Sequence, residues 1–400
     1  MTATTWVEGA AGSLFDVDNL PYGVFSRPGE EPRVGVRIGD LVLDLSPVAA
    51  AEMLDSHHVF QERSLNLLMS EGRQVRESLR TWLTGLLTEE AERDLVEPHL
   101  IPLSEVTLHL PVEVADYVDF YASLDHASNV GRIFRPDQEP LLPNWKHLPV
   151  GYHGRAGTVV ASGTPVVRPC GQRKAPTDDA PTYGPSARLD IEAELGFVVG
   201  TPSPLGERVG VDDFSEHVFG LVGLNDWSAR DIQAWEYVPL GPFLGKSFAT
   251  SISHWVTPVE ALDAAWVDLP GQDPAPLPYL QGKAARGLDI EVEVELNGKV
   301  VARPPYRSMY WSPAQMLAHM TVNGASLRTG DVFASGTISG PEPDQRGSFL
   351  ELSWGGKEPF EGRTFLEDGD EVVLRYTAPG TAGGRIALGE VTGRIEPASD

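Results

Sequence analysis

Glycine and proline set the first limit on this chain. There are 41 Gly and 33 Pro among its 400 residues, against a usual combined share of about 12%. They are scattered without a period, which excludes a collagen-like or low-complexity chain. A helix interior tolerates neither residue well, so long helices must be few. Many short apolar runs bounded by breakers read as strands and turns. We therefore expect a mainly β, α+β architecture.

Composition narrows the function classes. The formal charge is −26, from 57 acidic and 31 basic side chains. Nucleic acid is bound by clustered Lys and Arg that displace counterions, so no nucleic-acid partner is expected. An anionic membrane surface is disfavoured for the same reason. The hydrophobic fraction of 41% is enough for a sizeable core, which argues against bulk disorder. No apolar run approaches the ~18 residues of a membrane span. The opening Met-Thr-Ala-Thr-Thr-Trp-Val-Glu carries no leader pattern. A single cysteine, Cys170, has no partner for a disulfide or redox pair, and we expect it to be a buried, inert thiol. The chain reads as an acidic, cytoplasmic, globular protein.

Local patterns then divide the chain. Val34, Val36 and Ile38 alternate before Gly39-Asp40, and Leu41, Leu43 and Leu45 alternate after it. This predicts a hairpin with a primed turn. Val75, Leu79, Trp82, Leu83 and Leu86 fall at helical spacing. Pro98, Pro102 and Pro111 punctuate the next stretch. We place a boundary there, with a first domain over 1–112 and a second over 113–400. In the second, residues 116–155, 223–250 and 330–354 mix Gly, Pro, aromatic and ionisable side chains. Such mixtures suit buried polar networks and hence a site.

Two strands carry nearly the same acidic pattern. Residues 189–197 read Leu-Asp-Ile-Glu-Ala-Glu-Leu-Gly-Phe, which puts Asp190, Glu192 and Glu194 on one face. Residues 288–296 read Leu-Asp-Ile-Glu-Val-Glu-Val-Glu-Leu, followed by the turn pair Asn297-Gly298. Either face could be solvated, and either could hold a hard cation on oxygen ligands. Periodicity does not choose between them. Asn225 or Asp226 could cap a helix that starts nearby. Gly241-Pro-Phe-Leu-Gly-Lys-Ser lacks the glycine a P-loop needs at 240, where Leu stands. Neither a Gly-x-Ser-x-Gly elbow nor a His-Glu-x-x-His helix occurs, so a serine hydrolase or zincin is unsupported.

Taken together, several segments closely resemble the fumarylacetoacetase (fumarylacetoacetate hydrolase) family. They include Asn19-Leu-Pro-Tyr-Gly-Val-Phe25, Asp119-Phe-Tyr121 and His126-Ala-Ser-Asn-Val-Gly131. The longest run from Leu142 to Arg155 and from Asn225 to Phe248. Leu189 to Glu194, Gly336 to Pro341 and Leu350 to Trp354 complete the ordered match. The resemblance implies a small N-terminal SH3-like β-barrel, a larger C-terminal β-roll and a homodimer.

It also implies a site. Asp119, Glu192, Glu194 and Asp226 match four carboxylates that hold a divalent ion, usually Ca²⁺. Asp226, Lys246 and Thr250 match positions associated with Mg²⁺. An ammonium cannot ligate a cation, so Lys246 could join only through its carbonyl. His126 matches a base that takes a proton from water, and Glu351 the acid that orients it. Arg230, Gln233 and Lys246 match oxyanion-stabilising groups. Tyr121, Arg135, Tyr152, Gln233, Tyr237 and Thr337 match substrate contacts. The implied reaction is hydrolysis of a carbon–carbon bond in a β-diketone, fumarylacetoacetate. Two other readings are another 2-oxo or diketo acid hydrolase or decarboxylase of the same superfamily, and a non-catalytic metal-binding protein. Asp125, just before His126, and the segment 270–287, read as a surface loop, depart from the family pattern.

Overall fold

The breaker-bounded runs do form short strands. The computed structural model describes residues 4–54 and 57–399. Residues 1–3, at the start of the N-terminal stretch read above, lie outside that description. Arg33–Ile38 pairs with Leu41–Asp44 so that Ile38 faces Leu41. Gly39 makes the turn at φ +56°, a conformation that costs glycine nothing. At the second hairpin Asn297 and Gly298 both take positive φ, +51° and +80°, as a type I′ turn requires. The predicted helix spans Arg73–Thr88 and buries Leu79, Leu83, Leu86 and Leu87. Among the described residues no helix is long and apolar enough to cross a membrane.

The result is a mixed α+β, sheet-rich fold. The larger sheet begins with Leu100–Pro102, Leu41–Asp44, Arg33–Ile38 and Tyr22–Ser26. It continues through Trp255–Pro258, Val218–Asp226, Ala193–Val199, Val332–Ala334, Tyr117–Phe120 and Gly151–His153. The N-terminal strands therefore do not close on themselves, and no closed barrel forms among the described residues. Their free edge is satisfied by a neighbour instead: Tyr22 pairs with Val256 and Gly23 with Trp255. A bare edge must be paired or covered, and here the central sheet does it. Gly23 permits the contact, since a Cβ there would lie 2.6 Å from the Trp255 ring.

A second sheet runs Lys299–Ala302, Glu291–Leu296, Glu371–Pro379, Val391–Glu396 and Val166–Val167. Tyr376 bolts it to the first. The Tyr376 hydroxyl accepts from the Leu224 amide at 3.2 Å and donates to the Leu224 carbonyl at 3.0 Å. The central sheet is thus covered on both faces. Leu195, Phe197 and Leu221 join one core with Tyr376. Val198, Val222 and Leu224 join the other with the N-terminal strands and helix.

This layering separates the two acidic strands that pattern left equal. Ala193–Val199 is buried along its full length, because each face meets a core. Glu291–Leu296 buries only alternate residues. Its acids meet arginines at the surface, Glu291 with Arg385 at 3.0 Å and Glu293 with Arg303 at 3.1 Å. The second strand is the solvated face.

One substitution tests the bolt. A Cβ at Gly223 would lie 2.3 Å from the Tyr376 ring. Forcing extra volume into a packed core costs about 1–3 kcal/mol. Gly223→Ala should lower the urea unfolding midpoint by that order and leave the secondary structure content unchanged.

Candidate active site

Side-chain alternation assembles the acids. Asp119 shares a face with Tyr117, Glu194 with Val198, and Asp226 with Val222 and Leu224. Parallel pairing sets Asp119 beside Ala334, and antiparallel pairing sets Asp226 beside Thr250. Glu192 lies outside this alternation. It occupies the break between the short strand Leu189–Asp190 and Ala193–Val199. The Asn225 side chain accepts from the Glu192 amide at 3.1 Å and fixes that break. Ligand oxygens of Asp119, Glu192, Glu194 and Asp226 come within 4.8 Å of one another. All four residues are at most 5% exposed.

So many buried carboxylates need compensation. Lys246 is buried among them, its ammonium donating to Asp226 at 2.6 Å and to Glu192. Arg230 donates to Glu192 and to Asp190, each at 2.8 Å. Burial pushes the Glu192 carboxyl up, but Arg230, Lys246 and His126 outweigh it and hold it well below the usual range. Asp226 is raised by burial despite Lys246. Asp119 and Glu194 are raised well above the usual range, first by burial and then by the neighbouring carboxylates. Asp119 Oδ1 and Glu194 Oε1 are buried without a hydrogen-bond partner. An all-oxygen set with two orphaned oxygens fits a hard divalent cation.

The other Glu194 oxygen, Oε2, is held at 3.1 Å by the Gly336 amide. Gly336 adopts φ +74°, and a Cβ there would stand 2.2 Å from the Phe120 carbonyl. No other residue type fits that position without moving the Asp119 strand.

A second constellation adjoins the acids. Ser123 caps the Leu124–Phe134 helix by accepting from the His126 amide at 3.2 Å. His126 Nδ1 lies 2.6 Å from Glu351 Oε2. Glu351 is fully buried, and it also accepts from Asn129 at 2.9 Å, Ser339 at 2.9 Å and Ser348 at 2.8 Å. Burial pushes its carboxyl up, but the His126 charge and these donors outweigh it and hold it below the ordinary value. A carboxylate so held makes Nδ1 the donor. His126 Nε2 is then the ring nitrogen that faces the acids, 3.8 Å from Glu192 Oε1. Glu351, and not the adjacent Asp125, is the carboxylate bonded to the imidazole.

The remaining predicted residues are distributed unevenly. The Tyr121 ring packs edge-on to His126 with centroids 5.3 Å apart. Gln233 Oε1 accepts from Arg230 at 3.2 Å, which leaves its amide free to donate. Tyr152 donates to Asp226 at 3.1 Å and Thr250 donates to Asp226 at 3.0 Å. Thr337 Oγ1 and Arg135 Nε are buried without partners, while an Arg135 Nη donates to the Pro140 carbonyl. Tyr237 stands apart, 47% exposed, just beyond the Arg230–Glu236 helix. Asn225 and Asp226 cap nothing, since that helix begins after Ala229 and Asp226 ends a strand. Cys170 is half-buried rather than buried.

Sequence reasoning overlooked Asn129, Ser339 and Ser348. Two of them carried a signal. Ser348-Phe-Leu-Glu351 has the Ser-x-x-Glu spacing of a capping box, and Asn129 lies one helical turn after His126. A cavity of about 130 Å³ opens beside the acids, lined by Tyr117, Tyr152, Arg155, Asp226, Phe243 and Lys246. It has room for several waters or a small organic fragment.

Lys246→Met would strand the acids with Arg230 as the remaining cation. Removing one partner of a buried ion pair costs about 3–5 kcal/mol. We expect that loss in urea unfolding with a chelator present. Added Ca²⁺ or Mn²⁺ should recover part of it, because an ion bound only to the folded state stabilises it.

Comparison with known proteins gives this geometry a lineage. Residues 116–395 match the family model described as "Fumarylacetoacetate (FAA) hydrolase C-terminal". Residues 18–111 match "Fumarylacetoacetase N-terminal". The fumarylacetoacetases of Rattus norvegicus and Homo sapiens are each 47% identical over 410 residues, spanning 97% of this chain and 98% of theirs. That of Oryza sativa subsp. japonica is 44% identical over 418 residues, spanning 98% and 97%. A solved fumarylacetoacetate hydrolase from psychrophilic Exiguobacterium antarcticum aligns with TM-score 0.58 at 18% identity, over 94% of this chain and 99% of its own. A maleylpyruvate hydrolase from Sphingobium sp. SYK-6, in complex with manganese (II) ion and pyruvate, aligns at 0.52 and 17% identity, over 95% and 100%. Those two share the fold. On the family matches and the relatives near half identity, this chain belongs to the fumarylacetoacetate hydrolase family.

Proposed function

We propose that this chain is a metal-dependent hydrolase that cleaves fumarylacetoacetate to fumarate and acetoacetate, the last step of tyrosine and phenylalanine breakdown. One observation carries the reading: a buried His126–Glu351 pair faces a buried four-carboxylate cluster. The named relatives, similar from end to end, support it.

Asp119, Glu192, Glu194 and Asp226 would hold the divalent ion, Ca²⁺ in this proposal, with Mg²⁺ near Asp226, Lys246 and Thr250. The orphaned Asp119 and Glu194 oxygens support that assignment. Such an ion, when bound, supplies Lewis-acid charge and orients substrate.

The chain's own groups do the rest. Glu351 fixes the imidazole so that Nε2 accepts a proton from water. The water oxygen bonds to the ketone carbon, and the negative charge on that carbonyl oxygen is met by Arg230, Lys246 and the free amide of Gln233. Preorganised donors of this kind are worth about 3–4 kcal/mol each in the transition state. When the carbonyl re-forms, the carbon–carbon bond breaks and its electron pair leaves as the acetoacetate enolate. His126 returns its proton to that carbon. Arg135 suits a substrate carboxylate, since guanidinium binds it bidentately. Tyr121, Tyr152, Tyr237 and Thr337 complete the substrate contacts.

The finer fold reading travels with this proposal: an SH3-like unit over 1–112 and a β-roll over 113–400. The tight Arg33–Asp44 hairpin and the Tyr376-bolted sheets support it. A cytoplasmic homodimer belongs to the same proposal, and light scattering tests the dimer.

Loss of fumarylacetoacetate absorbance tests the reaction. Chelation should abolish turnover and added divalent cation should restore it. Glu351→Gln should lower kcat by about 10²-fold or more, because the imidazole loses its anchor. Absence of wild-type turnover with every cation would move the function to another diketo acid.

A further inference from the structure

Asp190 belongs to neither group of predicted site residues, yet it is fully buried. Its carboxylate takes four donors. Oδ1 accepts from the Ile191 amide at 2.8 Å and the Phe349 amide at 2.7 Å. Oδ2 accepts from the Leu350 amide at 3.0 Å and from Arg230 Nε at 2.8 Å. Phe349 and Leu350 begin the turn Phe349–Leu352 that carries Glu351. Arg230 reaches Glu192 through Nη2 and Gln233 through Nη1, and two of its five N–H groups stay free. One side chain therefore joins the guanidinium arm of the site to the turn that holds His126.

The backbone reinforces the join. Leu189–Asp190 pairs with Ser228–Ala229, immediately before Arg230. The Arg230 amide donates to the Arg188 carbonyl at 2.9 Å. Asp190 neither lines the cavity nor belongs to the four-acid cluster.

We infer that Asp190 is a positioning residue: its carboxylate sets the distance between the Arg230 guanidinium and the His126–Glu351 pair. The inference rests on the catalytic roles proposed above. Only a carboxylate serves here. Asparagine keeps one acceptor oxygen and turns its amide toward N–H groups that need acceptors. Both arms should loosen while the substrate contacts stay, so the loss falls on kcat and not on KM.

The test compares Asp190→Asn with Val294→Ala, a cavity variant in the second sheet at a residue that makes none of the Asp190 hydrogen bonds. We expect Asp190→Asn to lower kcat at least about tenfold with KM within about threefold. Hydrogen exchange at the Phe349 and Leu350 amides should speed up at least about tenfold, with the Glu371–Pro379 strand unchanged. Val294→Ala should lower the unfolding midpoint and leave kcat at the wild-type value. The inference is overturned if Asp190→Asn keeps the kcat of Val294→Ala, or if kcat falls with exchange at 349–350 unaltered. Should Asp190→Asn not fold, Asp190→Ser is read by the same two criteria. Wild-type protein that cleaves no fumarylacetoacetate overturns the parent reading instead. The exchange result then still decides whether Asp190 ties the two arms together.

Discussion

Four carboxylates that share one dry site repel one another, and the rest of the structure answers that repulsion. In a low-dielectric interior each charge is costly unless it is paired. Lys246 and Arg230 divide the work. Glu192 takes both cations and stays strongly acidic, while Asp119 and Glu194 are left with burial and like charge. The asymmetry is chemically useful. Glu192 binds both cationic side chains, Asp226 shares Lys246, and one oxygen each of Asp119 and Glu194 remains open for an ion.

Packing on both faces of the central sheet creates that dryness. Val198, Val222 and Leu224 seal the face that carries Asp119, Glu194 and Asp226. Phe197, Leu221 and Tyr376 seal the other. The N-terminal strands contribute to the first of these cores, through Val24, Val34 and Val36. Their role is therefore not confined to their own segment. They exclude water behind the acids.

The pair His126–Glu351 shows a different construction. It spans 225 positions of sequence, and no local rule predicts it. Each partner is nevertheless prepared locally. Ser123 caps the helix of His126, and Ser348 caps the turn of Glu351. Each capping serine fixes the backbone of its own element through a bond only three residues long in sequence. Asp190 then ties that turn to Arg230.

Much of the molecule was legible before folding was considered. Breaker density gave a sheet-rich fold, Gly39-Asp40 and Asn297-Gly298 gave two hairpins, and apolar spacing gave the Arg73–Thr88 helix. These are local signals, and local backbone preference decides them. The acids that meet were named through family resemblance, while alternation alone left two strands equal. The N-terminal unit was expected to close as a barrel, and its edge instead pairs with Trp255 and Val256. Asp226 had the look of a helix cap and ends a strand. The tertiary structure alone decided which acidic strand is buried, because burial depends on what covers each face. It also decided that Glu192, at a break in the strand, would face both Lys246 and Arg230. Sequence fixes the period of a strand, whereas the dielectric around its side chains comes from residues far along the chain.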